Sequence, residues 1–306
     1  MDIAAAILAT VVTAATPLLL AALGELIVEK SGVLNLGVEG MMLAGAVGGF
    51  IAASLTGSLL IALVAAVLAG MAMSLVFAVL VLGLRANQVA SGLALVLFGV
   101  GLSSLAGQGY VGQSLGAAWR IFPESWREIP FVGPALLAHG PLVYLSIALV
   151  PLTVWFLYRT RGGLILRAVG ENHDAAHGLG HDVVRVRTLA IVWGGALAGL
   201  GGAYLSLDYT PMWAENMTAG RGWIALALVV FAAWRPWRLM AGAYLFGGIT
   251  ILQLHAQGAG FGMPSQVLSM LPYLATVAVL VIISSNRSRL SLAAPGSLNK
   301  TFHPPA

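Results

Sequence analysis

"GELIVEKSGVLNLGVEG", Gly24–Gly40, gathers Glu25, Glu29, Lys30 and Glu39 around Asn35, directly after an apolar run. Before Arg85 the chain carries no other charge except Asp2. The meaning of this stretch depends on the solvent in which the chain folds. Of the 306 residues, 59% are hydrophobic and 8% charged, against roughly 25% charged in an ordinary soluble domain. So few charges cannot cover the surface of a soluble protein this long. Several runs reach the ~20 apolar residues that cross a hydrocarbon core. Backbone groups find no water there, so the spanning elements are expected to be helices. No alternating strands of the β-barrel kind occur.

The expected fold is therefore all-α: a polytopic integral membrane bundle of about 8–10 transmembrane helices. Candidate spans are 3–23, 38–55, 58–83, 89–107, 141–158, 188–207, 215–234, 237–255 and 267–284. Residues 1–285 are expected to form the membrane domain, and 286–306 a short, poorly ordered polar tail. The first run is too long for a signal-peptide core, and Asp2 stands where a basic segment belongs, so it reads as a retained span. Small residues recur, as in "GGALAGLGGAY" (Gly194–Tyr204), and allow close helix approach in lipid. Pro17, Pro151 and Pro272 fall inside spans and mark kinks.

The net charge of +4 reflects membrane topology rather than nucleic-acid binding. Arg159, Arg161, Arg167, Arg185 and Arg187 share one connection; Arg235 and Arg238 follow the seventh span, and Arg287 and Arg289 the last. Alternation puts all of them, and Arg85, on the cytoplasmic side, with the N-terminus outside and the C-terminus inside. The 108–140 connection then lies outside, where "WRIFPESWREIP" suits an interfacial cap. With no cysteine in the chain, disulfides and thiolate sites are excluded.

Three motifs invite chemical readings. "GELIVEKS" (Gly24–Ser31) approaches a P-loop, but Glu29 replaces the second glycine and would repel phosphate. "HDAAH" (His173–His177) resembles a zinc helix with Asp for Glu, and His181 follows. Gly178 and Gly180 break the helix first, so a polar surface helix is the favoured reading. "GQSLG" (Gly112–Gly116) has no strand–helix context and is treated as chance.

The opening stretch remains. Gly32, Gly37 and Gly40 argue against one helix through Asn35 and Glu39. Ionisable groups and irregular backbone at membrane depth line a cavity or lie buried in protein. A translocation pathway at Asn35, Gly37, Glu39 and Gly40 and a capping elbow at the interface both fit.

"GELIVEKSGVLNLGVEGMMLAGA" (Gly24–Ala46) closely resembles the signature of bacterial ABC-importer permeases of the branched-chain amino acid, ribose and nucleoside superfamily, in the simple sugar and nucleoside branch. Amino acid permeases of that superfamily tend to carry an Asn-Phe-Ala-His-Gly type of motif here, and ribose permeases an Ile-Asp-Leu-Ser type. Leu34-Asn35-Leu36-Gly37-Val38-Glu39-Gly40 has the nucleoside form. "RAVGENHDAAHGLGHDVVRVRTLAIVWGGALAGLGGAYLS" (Arg167–Ser206) is similar to the cytoplasmic coupling segment and the following span. Gly170, Asn172, Ala175, Ala176 and Gly178 match it, with Glu171 between them; the coupling segment would cover about 168–182.

The resemblance implies a transport subunit without catalytic residues, metal or cofactor of its own, in the bacterial inner membrane. ATP and Mg would bind a cytoplasmic ATPase partner. A second homologous permease would complete the pore, and an extracytoplasmic lipoprotein would deliver a nucleoside or simple sugar. Membrane lipid would surround the chain, and nucleic acid would play no part. The rivals are a secondary transporter with Glu39 as coupling carboxylate, and a membrane metal hydrolase using His173, His177 and Glu171 or Asp174.

Overall fold

The computed structural model describes residues 3–116, 119–258 and 294–303, and, of those between 259 and 293, residues 267, 270, 271, 274, 277 and 281. Eleven α-helices are named in chain order: α1 (Ile3–Lys30), α2 (Val38–Thr56), α3 (Leu59–Ala78), α4 (Gln88–Gly107), α5 (Glu124–Arg127), α6 (Pro141–Arg159), α7 (Arg161–Glu171), α8 (His173–Gly178), α9 (Val183–Tyr204), α10 (Arg221–Phe231) and α11 (Pro236–Gly258). Wide π-turns extend α3 over Val79–Gly83 and α9 over Leu205–Tyr209. Seven of these helices, α1, α2, α3, α4, α6, α9 and α11, are long and apolar enough to cross a membrane. The expected polytopic helical bundle is found.

The count differs from expectation in one described place. The span expected over 215–234 is the short α10, about 16 Å long at 1.5 Å per residue, half of a ~30 Å hydrocarbon core. Helix cannot begin earlier, because Asn216, Ala219 and Gly220 take positive φ values. The last expected span, 267–284, lies largely outside the described residues.

α9 is the central post, packed along α1, α2 and α3. The helices meet backbone to backbone at Gly199 of α9. A Cβ on Gly45 of α2 would strike Gly199, and one on Gly70 of α3 would strike Gly195 and sit 3.0 Å from the Gly199 Cα. Lipid tails are as apolar as leucine, so burial of apolar area does not drive this association. Dispersion contacts at short range do, and they need small residues. Gly24 belongs to the same scheme: it lies inside α1, with Gly194 of α9 filling the place of a side chain. The P-loop-like segment is thus a helix–helix contact.

At the end of the bundle that holds residues 108–140, Arg120 pairs with Asp208 at 2.6 Å, and Phe122 stacks on Trp126. Ser114 of the elbow-like motif forms an isolated backbone bridge with Met212. The connection closes over the helix ends as a cap, as its sequence indicates. Gly45→Val should lower the yield of folded, monodisperse protein and its melting temperature, by overpacking worth about 1–3 kcal/mol. Gly101→Ala, where a Cβ meets open space, should do neither. Equal melting curves for Gly45→Val and the parent would refute close glycine packing.

Candidate functional site

The chain breaks between α1 and α2, at residues 31–37, as the glycines imply. The break is buried against protein except at the half-buried Leu34 and Leu36, and each of its polar groups named here has a partner. The Asn35 amide donates to Glu25 Oε1 at 3.1 Å, and Asn35 Nδ2 donates to Glu25 Oε2 at 3.3 Å. Asn35 Oδ1 accepts from the Gly37 amide at 3.0 Å. The Leu34 amide donates to Gln88 Oε1 of α4 at 2.8 Å. Since Asn35 lies beside Glu25, the chain folds back along α1 before α2 starts, so α2 begins inside the depth that α1 spans.

Glu39 follows, in the first turn of α2, 3% exposed. Its Oε1 accepts from the Thr218 hydroxyl and from the Gly220 amide at 2.8 Å, and its Oε2 accepts from the Gly222 amide at 2.6 Å. These are orphan donors at the N-terminus of α10, which an anion satisfies well. Gly220 has φ +83°, where a side chain would strain the backbone, and a Cβ on Gly222 would lie 2.6 Å from the Glu39 Cα, where none fits. Glu39 therefore caps a half-helix that begins inside the bundle. Its acceptor positions are occupied, and the structure does not support the reading of Glu39 as a proton-coupling carboxylate. Gly37 and Gly40 pack on Leu95 of α4. None of Asn35, Gly37, Glu39 and Gly40 lines the four cavities beside Lys30, Trp193, Trp237 and Asp208.

The other end of α10 is fixed in the same way. Trp234 Nε1 donates to Glu29 Oε2 across the bundle, and the Lys30 ammonium lies 6.0 Å from the Trp234 ring. Glu25 and Glu29, which a capping elbow would leave at the interface, are instead 1% exposed within α1. The two carboxylates are interior ties, Glu25 to the break and Glu29 to the end of α10.

α7 and α8 lie between α6 and α9 in sequence and form the surface segment. Asn172 separates them and caps α8, its Oδ1 accepting from the Ala175 amide at 3.0 Å. Glu171, Asn172, Ala175 and Gly178 are exposed; Gly170 and Ala176 are buried. Gly170 abuts Lys30 and Gly32 at the end of α1. Ala176 lies in an apolar cluster with Val169, Val183 and Phe302. The matched residues thus divide into an outward face and an inward anchor, a division the sequence did not show.

Residues 294–303 depart from the poorly ordered tail expected there. They lie across this segment: the Ser297 amide donates to the Gly170 carbonyl at 2.8 Å, and the His173 amide to Ser297 Oγ at 3.2 Å. The Phe302 ring packs edgewise between His173 and His177. A metal reading of these histidines fails on the donor set. His173 Nδ1 accepts from the Arg187 guanidinium at 3.2 Å, and burial, then the Arg187 charge, hold the His173 pKa below its ordinary value. Among the described residues no three His, Asp or Glu side chains converge.

Arg187, in the second turn of α9, joins the two regions. It is fully buried. Its Nε donates to the Ser31 carbonyl at 3.1 Å, one terminal nitrogen to the Lys300 carbonyl at 3.1 Å, and the other to His173. One side chain thus holds the α1–α2 break, α8 and the C-terminal segment. Sequence reasoning used Arg187 as a topology marker and missed this role. It also missed Thr218, Gly220, Gly222 and Trp234, although "TAGRGW" (Thr218–Trp223) interrupts an apolar run with two glycines.

A polytopic bundle with a half-helix seated at depth, and a surface helix linked to it, has the parts of a transport subunit. A model of the family described as branched-chain amino acid transport system / permease component matches residues 7–283. The chain belongs to this permease family. A putative glucose ABC transporter permease of Haloferax volcanii is 42% identical, over 99% of both chains. A nucleoside ABC transporter permease of Lactococcus lactis is 31% identical over 90% of this chain and 91% of its own. A guanosine ABC transporter permease of Bacillus subtilis is 30% identical over 89% of each. Their names belong to the sugar and nucleoside branch that Gly24–Ala46 resembles. No solved structure matches the permease.

In this permease, Glu39→Gln should place an amide NH₂ against backbone donors and lower stability by about 1.5–3 kcal/mol. Protease cleavage in 210–220 should become faster as α10 loosens. An unchanged melting temperature with unchanged cleavage would show that Glu39 does not seat α10.

Proposed function

We propose that this multi-pass permease imports a nucleoside or a simple sugar, driven by ATP hydrolysis on a separate cytoplasmic ATPase that holds ATP and Mg. A second homologous permease subunit faces it across the pathway. An extracytoplasmic substrate-binding lipoprotein delivers the substrate. The membrane is the cytoplasmic one, with the N-terminus outside and the C-terminus inside. The placement of the arginines supports that orientation, and the names of the relatives support the substrate class.

The observation that carries the mechanism is the Arg187 connection between α8 and the broken junction. The end of α7 and α8 present Glu171, Asn172, Ala175 and Gly178 outward, a small polar surface suited to a groove of the ATPase. When ATP closes the ATPase, α8 moves. Arg187 passes that displacement to Ser31 and so to the 31–37 break, which is turns and irregular chain and bends more readily than helix. Glu39 joins the start of α2 to the start of α10, so the two move together. Discontinuous helices of this kind border the substrate path in transporters, where unwound backbone faces a cavity in one of the two states. Asn35, Gly37, Glu39 and Gly40 are assigned to the wall of the pathway as its hinge. Affinity midway must stay weak, because tight binding there would trap the substrate.

Ala175→Glu tests this reading in proteoliposomes holding the assembled transporter. Ala175 is exposed, so folding and membrane insertion should persist. ATP-driven uptake of nucleoside or sugar should fall about tenfold or more while ATP hydrolysis continues, a coupling loss within the usual 5–150-fold range. Normal uptake by the assembled variant would refute the role of α8. Ala176 is unsuitable for this test, because enlarging it would damage the apolar cluster beneath the helix.

A further inference from the structure

Where the C-termini of α1 and α6 meet the N-terminus of α11, a cavity of about 730 Å³ opens. Lys30, Arg167, Arg235 and Arg238 line it, with Glu171 the one carboxylate among the lining residues. Arg235 and Arg238 are exposed. Among the described residues, Arg167, Arg235 and Arg238 make no ion pair with a carboxylate. The Arg167 guanidinium is held over the Tyr158 ring, 5.0 Å from its centroid, yet its buried Nε has no hydrogen-bond partner. An orphaned guanidinium N–H among clustered cations calls for an anion with several acceptor oxygens.

The surroundings identify the source of that anion. A second cavity of about 400 Å³ shares Tyr158, Arg235 and Arg238, and continues along Val154, Pro236 and Trp237. Its lining is mostly apolar and comes from α6 and the start of α11, where Trp237 is 53% exposed. Tryptophan and tyrosine on a helix end mark the headgroup level of a membrane. A basic pocket with an apolar channel leading from it, at the ends of spanning helices, matches a phospholipid in both halves. A free phosphate would leave the apolar channel without a role.

We propose that this cavity binds an anionic phospholipid, its phosphate held by Arg167, Arg235 and Arg238 and an acyl chain laid along Val154 and Trp237. A lipid held there would touch Glu171 and Arg167, beside α8, and Trp234, which holds Glu29. The surface segment and the end of α10 would thus both sense the composition of the bilayer. This proposal does not depend on the identity of the transported substrate.

The test is native mass spectrometry of the full chain in detergent, titrated with phosphatidylglycerol or phosphatidylcholine. Phosphatidylglycerol should bind more tightly. Arg235→Gln combined with Arg238→Gln changes two exposed residues and should preserve the fold, while weakening phosphatidylglycerol binding about thirtyfold and leaving phosphatidylcholine unchanged. Arg167→Gln should weaken it as well. Equal binding of both lipids, or no loss in the double variant, would overturn the proposal. Inorganic phosphate is a further arm: if it displaces phosphatidylglycerol fully at equal concentration, the site recognises a free anion and the lipid assignment fails. If the double variant keeps its lipid but no longer copurifies with the ATPase, the patch is a protein interface, and the assignment again fails.

Discussion

The fully buried guanidinium of Arg187 is the constraint on which the working parts depend. Removing a charge from water costs several kcal/mol even after relaxation, and the nearby Asp174 charge offsets only part of it. The rest of the compensation comes from two backbone carbonyls and one imidazole nitrogen. Each acceptor belongs to a different segment: the α1–α2 break, α8 and the C-terminal strap. The planar fork of arginine fixes their directions as well as their distances. If any one of them shifts, a buried donor is left unsatisfied. The three segments therefore hold a joint position, and a displacement of one is felt by the others.

The carboxylates follow the same logic with opposite sign. Glu25, Glu29 and Glu39 each receive donors from another segment of the chain: Asn35, Trp234, and the Thr218–Gly222 turn. Lipid gives helices no hydrophobic reason to associate, so the bundle relies on two other devices. Glycine contacts bring α9 against α1, α2 and α3. Polar ties then fix α10 and the break, which are too short or too irregular to be held by packing alone. The charges of the opening stretch are these ties.

Much of this was legible in the sequence. Long apolar runs locate seven helices, because the hydrocarbon core imposes their length, but α1 runs on past the expected end at 23 to Lys30 and α9 starts at Val183 rather than 188. Gly32 and Gly37 mark the break between α1 and α2, and "RAVGENHDAAHG" marks the surface segment. The rest depended on contacts between distant residues. The donors to Glu39 lie about 180 residues further on, so no local pattern joins them. α10 reads as a full span because 221–234 is apolar, whereas the positive φ values at Ala219 and Gly220 stop the helix halfway. The tail at 294–303 has a loop composition and becomes ordered through Gly170, His173 and Arg187. Ala175 and Ala176 are adjacent and alike in sequence, and only the structure shows which one faces outward.

The central claim is that motion of α8 reaches the broken junction through Arg187, and the ratio of substrate imported to ATP hydrolysed tests it directly. Arg187→Met keeps much of the side-chain volume and removes the three hydrogen bonds. In the assembled transporter, with assembly checked by gel filtration, ATP hydrolysis should continue while the ratio falls about tenfold or more. An unchanged ratio, whether both rates stay normal or fall in proportion, would show that Arg187 only supports the fold and that the linkage runs elsewhere.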